Sequence, residues 1–165
     1  MIQVVVDDLA FVTADAIVRP ADEILNPVSP ETNRLDRQAG ERFAALRRVN
    51  TPLDAGAAVV TGGGDLAAPF VLHVVIRDAQ RRTDREIVRR ALLSAWQRAA
   101  DWGLGSIAAP LVGAGAGQLS QEEAAGLLVE TFPDQASGSP TELRIVVERD
   151  DDRALVEAIV QRRLG

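Results

Sequence analysis

Between Pro110 and Ser120 the chain reads Pro-Leu-Val-Gly-Ala-Gly-Ala-Gly-Gln-Leu-Ser, with Gly113, Gly115 and Gly117 alternating with Ala114 and Ala116. Glycine has no β-carbon, so N–H groups in such a run can turn towards one point and an oxyanion can come close to them. Ser120 and Glu123 follow as a capping box opening a helix. The positive end of that helix adds on the order of 0.3–2 kcal/mol for an anion held there. The chemistry that suits this stretch is a phosphate cradle, and it requires no lysine. The same spacing also suits a tight strand-to-helix connection that binds nothing. It is not a dinucleotide-binding fingerprint, whose third glycine would stand where Gln118 does, nor is it a Walker loop.

Other chemistries are removed by composition. The 165 residues include no Cys, no Lys and no Tyr, and all 18 basic residues are Arg. Thiolate nucleophiles, disulfides, thiolate zinc sites and Schiff bases are thereby excluded, and a single histidine, His73, cannot build a multi-histidine metal centre. Neither a metal nor a cofactor is expected. His73 lies in the apolar run Phe70 to Ile76 and reads as a core or sheet-end residue in preference to a catalytic base. The net charge of −6 opposes a general affinity for polyanions. The one dense basic run, Arg77, Arg81, Arg82, Arg85, Arg89 and Arg90, lacks aromatic stacking partners and reads as a solvated face, leaving nucleic acid an unfavoured partner and RNA an open one. No apolar run approaches the roughly 20 residues of a membrane span, so no membrane partner is expected. The opening Ile2-Gln3-Val4-Val5-Val6 lacks the basic region of a secretory signal, which gives a cytoplasmic expectation. Oligomeric state is left open.

The elements that must position the glycine run follow from periodicity. Gln3 to Val6, Ala16 to Val18, Ala57 to Thr61, Phe70 to Ile76, Ser106 to Ala109 and Leu143 to Val147 read as strands. Helices are predicted from about Asn33 to Arg48 with a break at Gly40, and from a Thr83/Glu86 capping box to about Trp102. Two more are predicted from Ser120 to near Phe132, and from Asp150 or Asp151 through Val160. Strands alternating with helices imply a largely parallel sheet covered on both faces, in one domain over residues 1–165. In such sheets ligands bind beyond the carboxyl ends of the strands, where the loop after Ala109 lies.

Pro110 to Leu119 resembles the macrodomain loop Pro-Leu-x-Gly-Thr-Gly-x-Gly-Gly-Leu, with Ala114 for Thr and Gln118 for the last Gly. Asp7-Asp8-Leu9 is similar to that family's opening Gly-Asp-Ile. Asp15-Ala16-Ile17-Val18-Arg19-Pro20-Ala21-Asp22 is similar to its Asp-Ala-Ile-Val-Asn-Ala-Ala-Asn. Gly56 to Leu66 and Val71 to Val75 resemble two further strands, so the likeness covers nearly the whole chain. It implies an α/β fold, a three-layer α/β/α sandwich with a mixed central sheet of about six strands. It also implies a site for ADP-ribose or a related nucleotide diphosphate. Asp8 would accept a hydrogen bond from the adenine amino group, Leu9 would present a neighbouring N–H, and Gly113, Ala114, Gly115, Ala116, Gly117 and Gln118 would hold the diphosphate and adjacent ribose.

The departures fall on the catalytic half. Asp22 stands in place of the Asn that contacts the distal ribose, and Arg19-Pro20 replaces Asn-Ala. Asn26 to Asn33, with Pro27 and Pro30, replaces a glycine-rich first phosphate loop and cannot present N–H groups as glycines do. Glu148-Arg149 stands where an aromatic often packs on the ligand. The leading expectation is a binding module with weak or absent hydrolysis. Two alternatives remain: an ADP-ribosyl hydrolase or O-acetyl-ADP-ribose deacetylase with Asp22 as base, and a diverged member acting in RNA or protein contacts.

Overall fold

The computed structural model describes residues 1–114, 118–134 and 138–165. In chain order its elements are β1 (Ile2–Val6), β2 (Ala16–Ala21), α1 (Pro30–Ala39), α2 (Glu41–Leu46), β3 (Ala58–Gly62), β4 (Phe70–Val75), α3 (Arg85–Asp101), β5 (Ser106–Ala109), α4 (Gln121–Thr131), β6 (Glu142–Val147) and α5 (Asp150–Leu164). The six strands form one sheet in the order β1-β6-β5-β2-β4-β3, parallel throughout except that β3 runs antiparallel to β4. The alternation of side chains along each strand fixes the two faces. Ala16, Val18, Leu72, Val74, Ile107, Leu143 and Ile145 face α3, α4 and α5. Ile17, Val71, Ala108 and Val146 face α1 and α2 through Leu35, Ala39 and Phe43. This is the expected three-layer α/β/α sandwich with a mixed sheet.

α4 lies between α3 and α5 and is therefore apolar nearly all round, with Ala124 to Val129 buried. Trp96 of α3 donates its indole N–H to Thr131 Oγ1 (3.0 Å) and packs edge-on against Phe132 (5.0 Å between centroids). Thr131 in turn donates to the Leu127 carbonyl (2.7 Å), so no polar group in this contact is left dry.

Three helix starts differ from the sequence expectation. α1 begins at Pro30, with Ser29 as N-cap, several residues before Asn33. Proline is suited to that first position because its missing N–H would have no partner there. α3 is capped by Asp84, which accepts from the Ile87 N–H, and Thr83 lies buried one position earlier. α5 has Arg149 as its N-cap without a side-chain hydrogen bond; Asp150, Asp151 and Asp152 lie in the first turn, facing the positive end of the dipole. The Ser120/Glu123 capping box forms as expected.

The centre of the sheet is joined unevenly. Asp15 Oδ2 accepts from the N–H groups of Gly105 (2.7 Å) and Ser106 (3.1 Å), and Ser106 Oγ accepts from the Asp15 N–H (3.0 Å). This clasp fixes β2 to β5 at their amino ends. Their ladder covers only Ala16↔Ile107 and Ile17↔Ala108, whereas β2 stays paired with β4 through Ala21↔Val75. Proline in a central strand would normally break a ladder. Ala21 gives its carbonyl to the Ile76 N–H on the β4 side, so the preceding Pro20 turns its main chain to the side β5 has left. Its missing N–H costs nothing there, and the sheet opens between Pro20 and Pro110.

Candidate functional site

The opening between β2 and β5 leads into a cleft at the carboxyl ends of the strands. Its inner part, only ≈ 20 Å³, is lined by Leu9, Pro20, Ser29, Thr32, Ile76, Pro110 and Gly113 among others. Its outer part, ≈ 270 Å³, is bounded by Ala114, Leu119, Gln121, Val147, Glu148, Arg149 and Asp152. Glu31 and Leu111 line both. The outer volume is near the lower end of the roughly 300–1,000 Å³ usual for small-molecule sites.

Gly113 begins the loop on one wall. Its φ of +96° lies in the region that favours glycine, and a β-carbon there would stand 2.8 Å from Leu119 Cδ1 and 3.2 Å from Val88 Cγ2. Ala114 donates its N–H to the Leu111 carbonyl (3.1 Å), which folds the chain back towards the cleft. Gly115, Ala116 and Gly117 lie outside the described residues, and Gln118 is exposed without lining the cleft. The start of α4 is less open to an anion than the sequence implies. Ser120 and Glu123 take each other's N–H groups, and Glu122 and Glu123 already face the helix dipole.

The opposite wall is the replaced first loop, and its first turn is helical. Pro30 has no N–H, the Thr32 N–H donates to Ser29 Oγ (3.2 Å), and the Asn33 N–H donates to the Ser29 carbonyl (3.0 Å). These two donors are taken by the Ser29 cap of α1, which the sequence reading did not foresee. Glu31 projects into the cleft instead. Burial pushes its carboxyl above the ordinary value; Glu148 adds to the shift, Arg34 opposes it and Asp8 adds further.

Asp8 follows β1, and its Oδ1 accepts from the Ala10 N–H (2.9 Å) while Leu9 reaches the inner cavity. Asp22 lies elsewhere. Its Oδ1 accepts from the N–H groups of Ile24 (3.0 Å) and Asn26 (2.8 Å), holding a turn in which Leu25 takes φ 63°, and it lines neither part of the cleft. Arg34 pairs with Glu148 across the outer edge.

Beneath this wall is a buried polar network. Arg19, fully enclosed in β2, donates from Nε and Nη2 to the two carboxylate oxygens of Asp36 on α1, both at 2.8 Å. Its Nη1 lies 3.2 Å from His73 Nδ1. A guanidinium only donates, so Nδ1 accepts and the ring proton sits on Nε2. Nε2 then donates to Thr61 Oγ1 (2.7 Å), and Thr61 passes its own proton to the Gly62 carbonyl (3.0 Å). Phe43 stacks on the imidazole at 5.7 Å. Burial, then Arg19 and Arg47, push His73 well below its ordinary pKa, so it is a neutral core residue, as read from its apolar strand. The sequence signal for Arg19 is a charge inside an apolar strand; nothing local marks Glu31. Among the described residues no cluster of His, Asp and Glu could hold a metal ion.

A sequence model of the Macro domain matches residues 21–128, more than half of the chain. An uncharacterized protein of Aeropyrum pernix is 33% identical over 119 residues, spanning 72% of this chain and 63% of that one. The chain covers as little as 41% of other curated relatives it matches. A protein of Cronobacter sakazakii named O-acetyl-ADP-ribose deacetylase is 26% identical, spanning 99% of this chain and 93% of that one. A Trypanosoma brucei macrodomain in complex with ADP-ribose superposes with a TM-score of 0.81 at 19% identity, covering 99% of this chain and 69% of that one, which shows a shared fold. By its sequence match and its fold, the chain belongs to the Macro domain family.

Proposed function

We propose that the cleft binds ADP-ribose or a related nucleotide diphosphate, with the adenine end near Asp8 and Leu9 and the diphosphate against the loop that begins at Gly113. The observation that carries this reading is the cleft itself. It opens where β2 and β5 part, at the carboxyl ends of parallel strands, with Leu9 and a positive-φ glycine lining the same inner cavity. The names of similar proteins support the ligand class: one is a deacetylase of O-acetyl-ADP-ribose and another is a macrodomain in complex with ADP-ribose.

Hydrolysis is weak or absent in this reading. The Asp22 carboxylate is engaged by two backbone N–H groups and lies outside the cleft, and the Thr32 and Asn33 N–H groups of the first loop are engaged by Ser29. We therefore assign Asp22 to the turn. Calorimetric titration with ADP-ribose, using AMP and ADP as controls, tests the proposal. Dissociation constants in the micromolar range with ADP-ribose preferred are expected, corresponding to about −8 kcal/mol. No heat at millimolar ligand would sink it, and turnover abolished by Asp22→Ala with binding retained would restore Asp22 to catalysis.

A further inference from the structure

We propose that Glu31 makes the cleft discriminate by ligand charge, favouring a diphosphate esterified at both ends over a nucleotide ending in a free phosphate. This rests on the reading of the cleft as a nucleotide diphosphate site and names what that site selects.

Glu31 is the one titratable residue that lines both the inner and the outer part of the cleft, standing with Leu111 between the Leu9 end and the Glu148 end. Among the described residues its carboxylate makes no hydrogen bond or ion pair, whereas its charged neighbours are engaged. Arg34, on the same helix, pairs with Glu148 from the end of β6. Asp8, after β1, is held by the Ala10 N–H (2.9 Å). From the start of α5, Asp152 accepts from Gln121 (3.4 Å) and Arg149 pairs with Asp151 (3.4 Å). A ligand in the cleft therefore meets a half-buried carboxylate that has no ion-pair partner of its own among the described residues, with Arg34 offsetting its charge only in part.

A phosphate esterified on both sides carries one negative charge, and a terminal phosphate carries close to two near neutral pH. The extra charge of the terminal phosphate meets Glu31 in a partly desolvated space, where like charges repel more strongly than in water. A protonated Glu31 instead donates a hydrogen bond to the ligand. Because burial and Glu148 raise its pKa, protonation begins at milder acidity than for a free side chain, and ligand affinity rises as pH falls through that range. ADP-ribose is the suitable probe for the pH arm because neither of its phosphates titrates there.

The test is calorimetric titration of the full chain and its Glu31→Gln variant with ADP-ribose and with ADP at about pH 7.5, and with ADP-ribose at about pH 5. The variant is expected to bind ADP about tenfold and ADP-ribose about threefold more tightly than wild type, narrowing the preference about threefold. Wild type is expected to gain affinity for ADP-ribose on acidification while Glu31→Gln stays flat. A preference unchanged in the variant, or a pH slope that persists in it, overturns the assignment and leaves the cleft as the binding site. Binding of neither ligand by either protein removes the cleft reading, and this one with it.

Discussion

Arg19 places a positive charge in the middle of the sheet, and its neighbours hold it in two ways. Asp36 neutralises it with two hydrogen bonds, and His73, held neutral, accepts a third. Because the His73 pKa is lowered in the fold, the unfolded chain takes up a proton near 6.5 while the folded chain does not. Stability from this residue is fully present above about pH 6.5 and is lost as pH falls, at up to about 1.4 kcal/mol per pH unit. Glu31, raised in the fold, contributes with the opposite sign, so its stability is present at low pH and lost as pH rises. The readout is therefore the difference between wild type and His73→Gln in urea unfolding at about pH 7.5 and about pH 5.5. The variant is expected to lose less stability on acidification; parallel behaviour would mean that His73 is already charged in the fold. The role of His73 was legible because an isolated polar residue in a fully apolar strand has few alternatives to a core position. Its partners were not, since Asp36 lies 17 residues from Arg19 and no local pattern joins them. Asp22 illustrates the reverse: its position in the motif drew attention to ribose chemistry, but its side chain serves two nearby N–H groups.

At the scale of elements, the turn that starts the glycine run depends on one residue's backbone. Gly113→Ala would combine a strained positive φ with a contact of 2.8 Å to Leu119 Cδ1. The expected cost is about 1–3 kcal/mol in unfolding free energy, with weaker ADP-ribose binding. A variant as stable as wild type in urea would show that the turn does not depend on glycine. Strand positions were legible to within a few residues because their apolar runs are short and mostly bounded by Gly, Pro and Asp. Helix starts were less so. Thr83 and Asp84 are both capping types, and the Glu86 that favours Thr83 in sequence does not outweigh the direct bond that the Ile87 N–H donates to Asp84. At α5 the acidic run offers Asp150 or Asp151 as the cap in sequence, while the fold places both, with Asp152, inside the first turn. The early start of α1 matters most for the site, since it turns a presumed loop into a helical wall bearing Glu31. No periodicity in Asn26 to Asn33 announces that change; only Ser29-Pro30, a cap followed by a proline, hints at it.

Across the whole molecule, two arginines of the dense run, Arg85 and Arg89, tie α3 to Glu130 of α4, and two more, Arg82 and Arg90, are engaged by nearby carboxylates. Arg85 and Arg163 reach Glu130 at 3.0 Å and 3.3 Å, Arg89 approaches it at 3.8 Å, and Arg82 pairs with Asp78 at 3.0 Å. Together with the net charge of −6 this leaves little field for a polyanion. Fluorescence anisotropy with a single-stranded RNA at low salt is expected to show no saturable binding; a complex that weakens steeply with salt would reopen the RNA alternative. The layer order was readable from strand–helix alternation, whereas the parting of β2 from β5 was not, although Pro20 within an apolar strand was its trace. That parting has a mechanical consequence. A plate slit from one edge flexes about the uncut end, and here the uncut end is the clasp of Asp15 on Gly105 and Ser106. A molecule lying across the slit acts as a rivet between two leaves, β1-β6-β5 and β2-β4-β3. Its binding energy would be felt as stiffness along the whole seam, down to strand ends the ligand never touches.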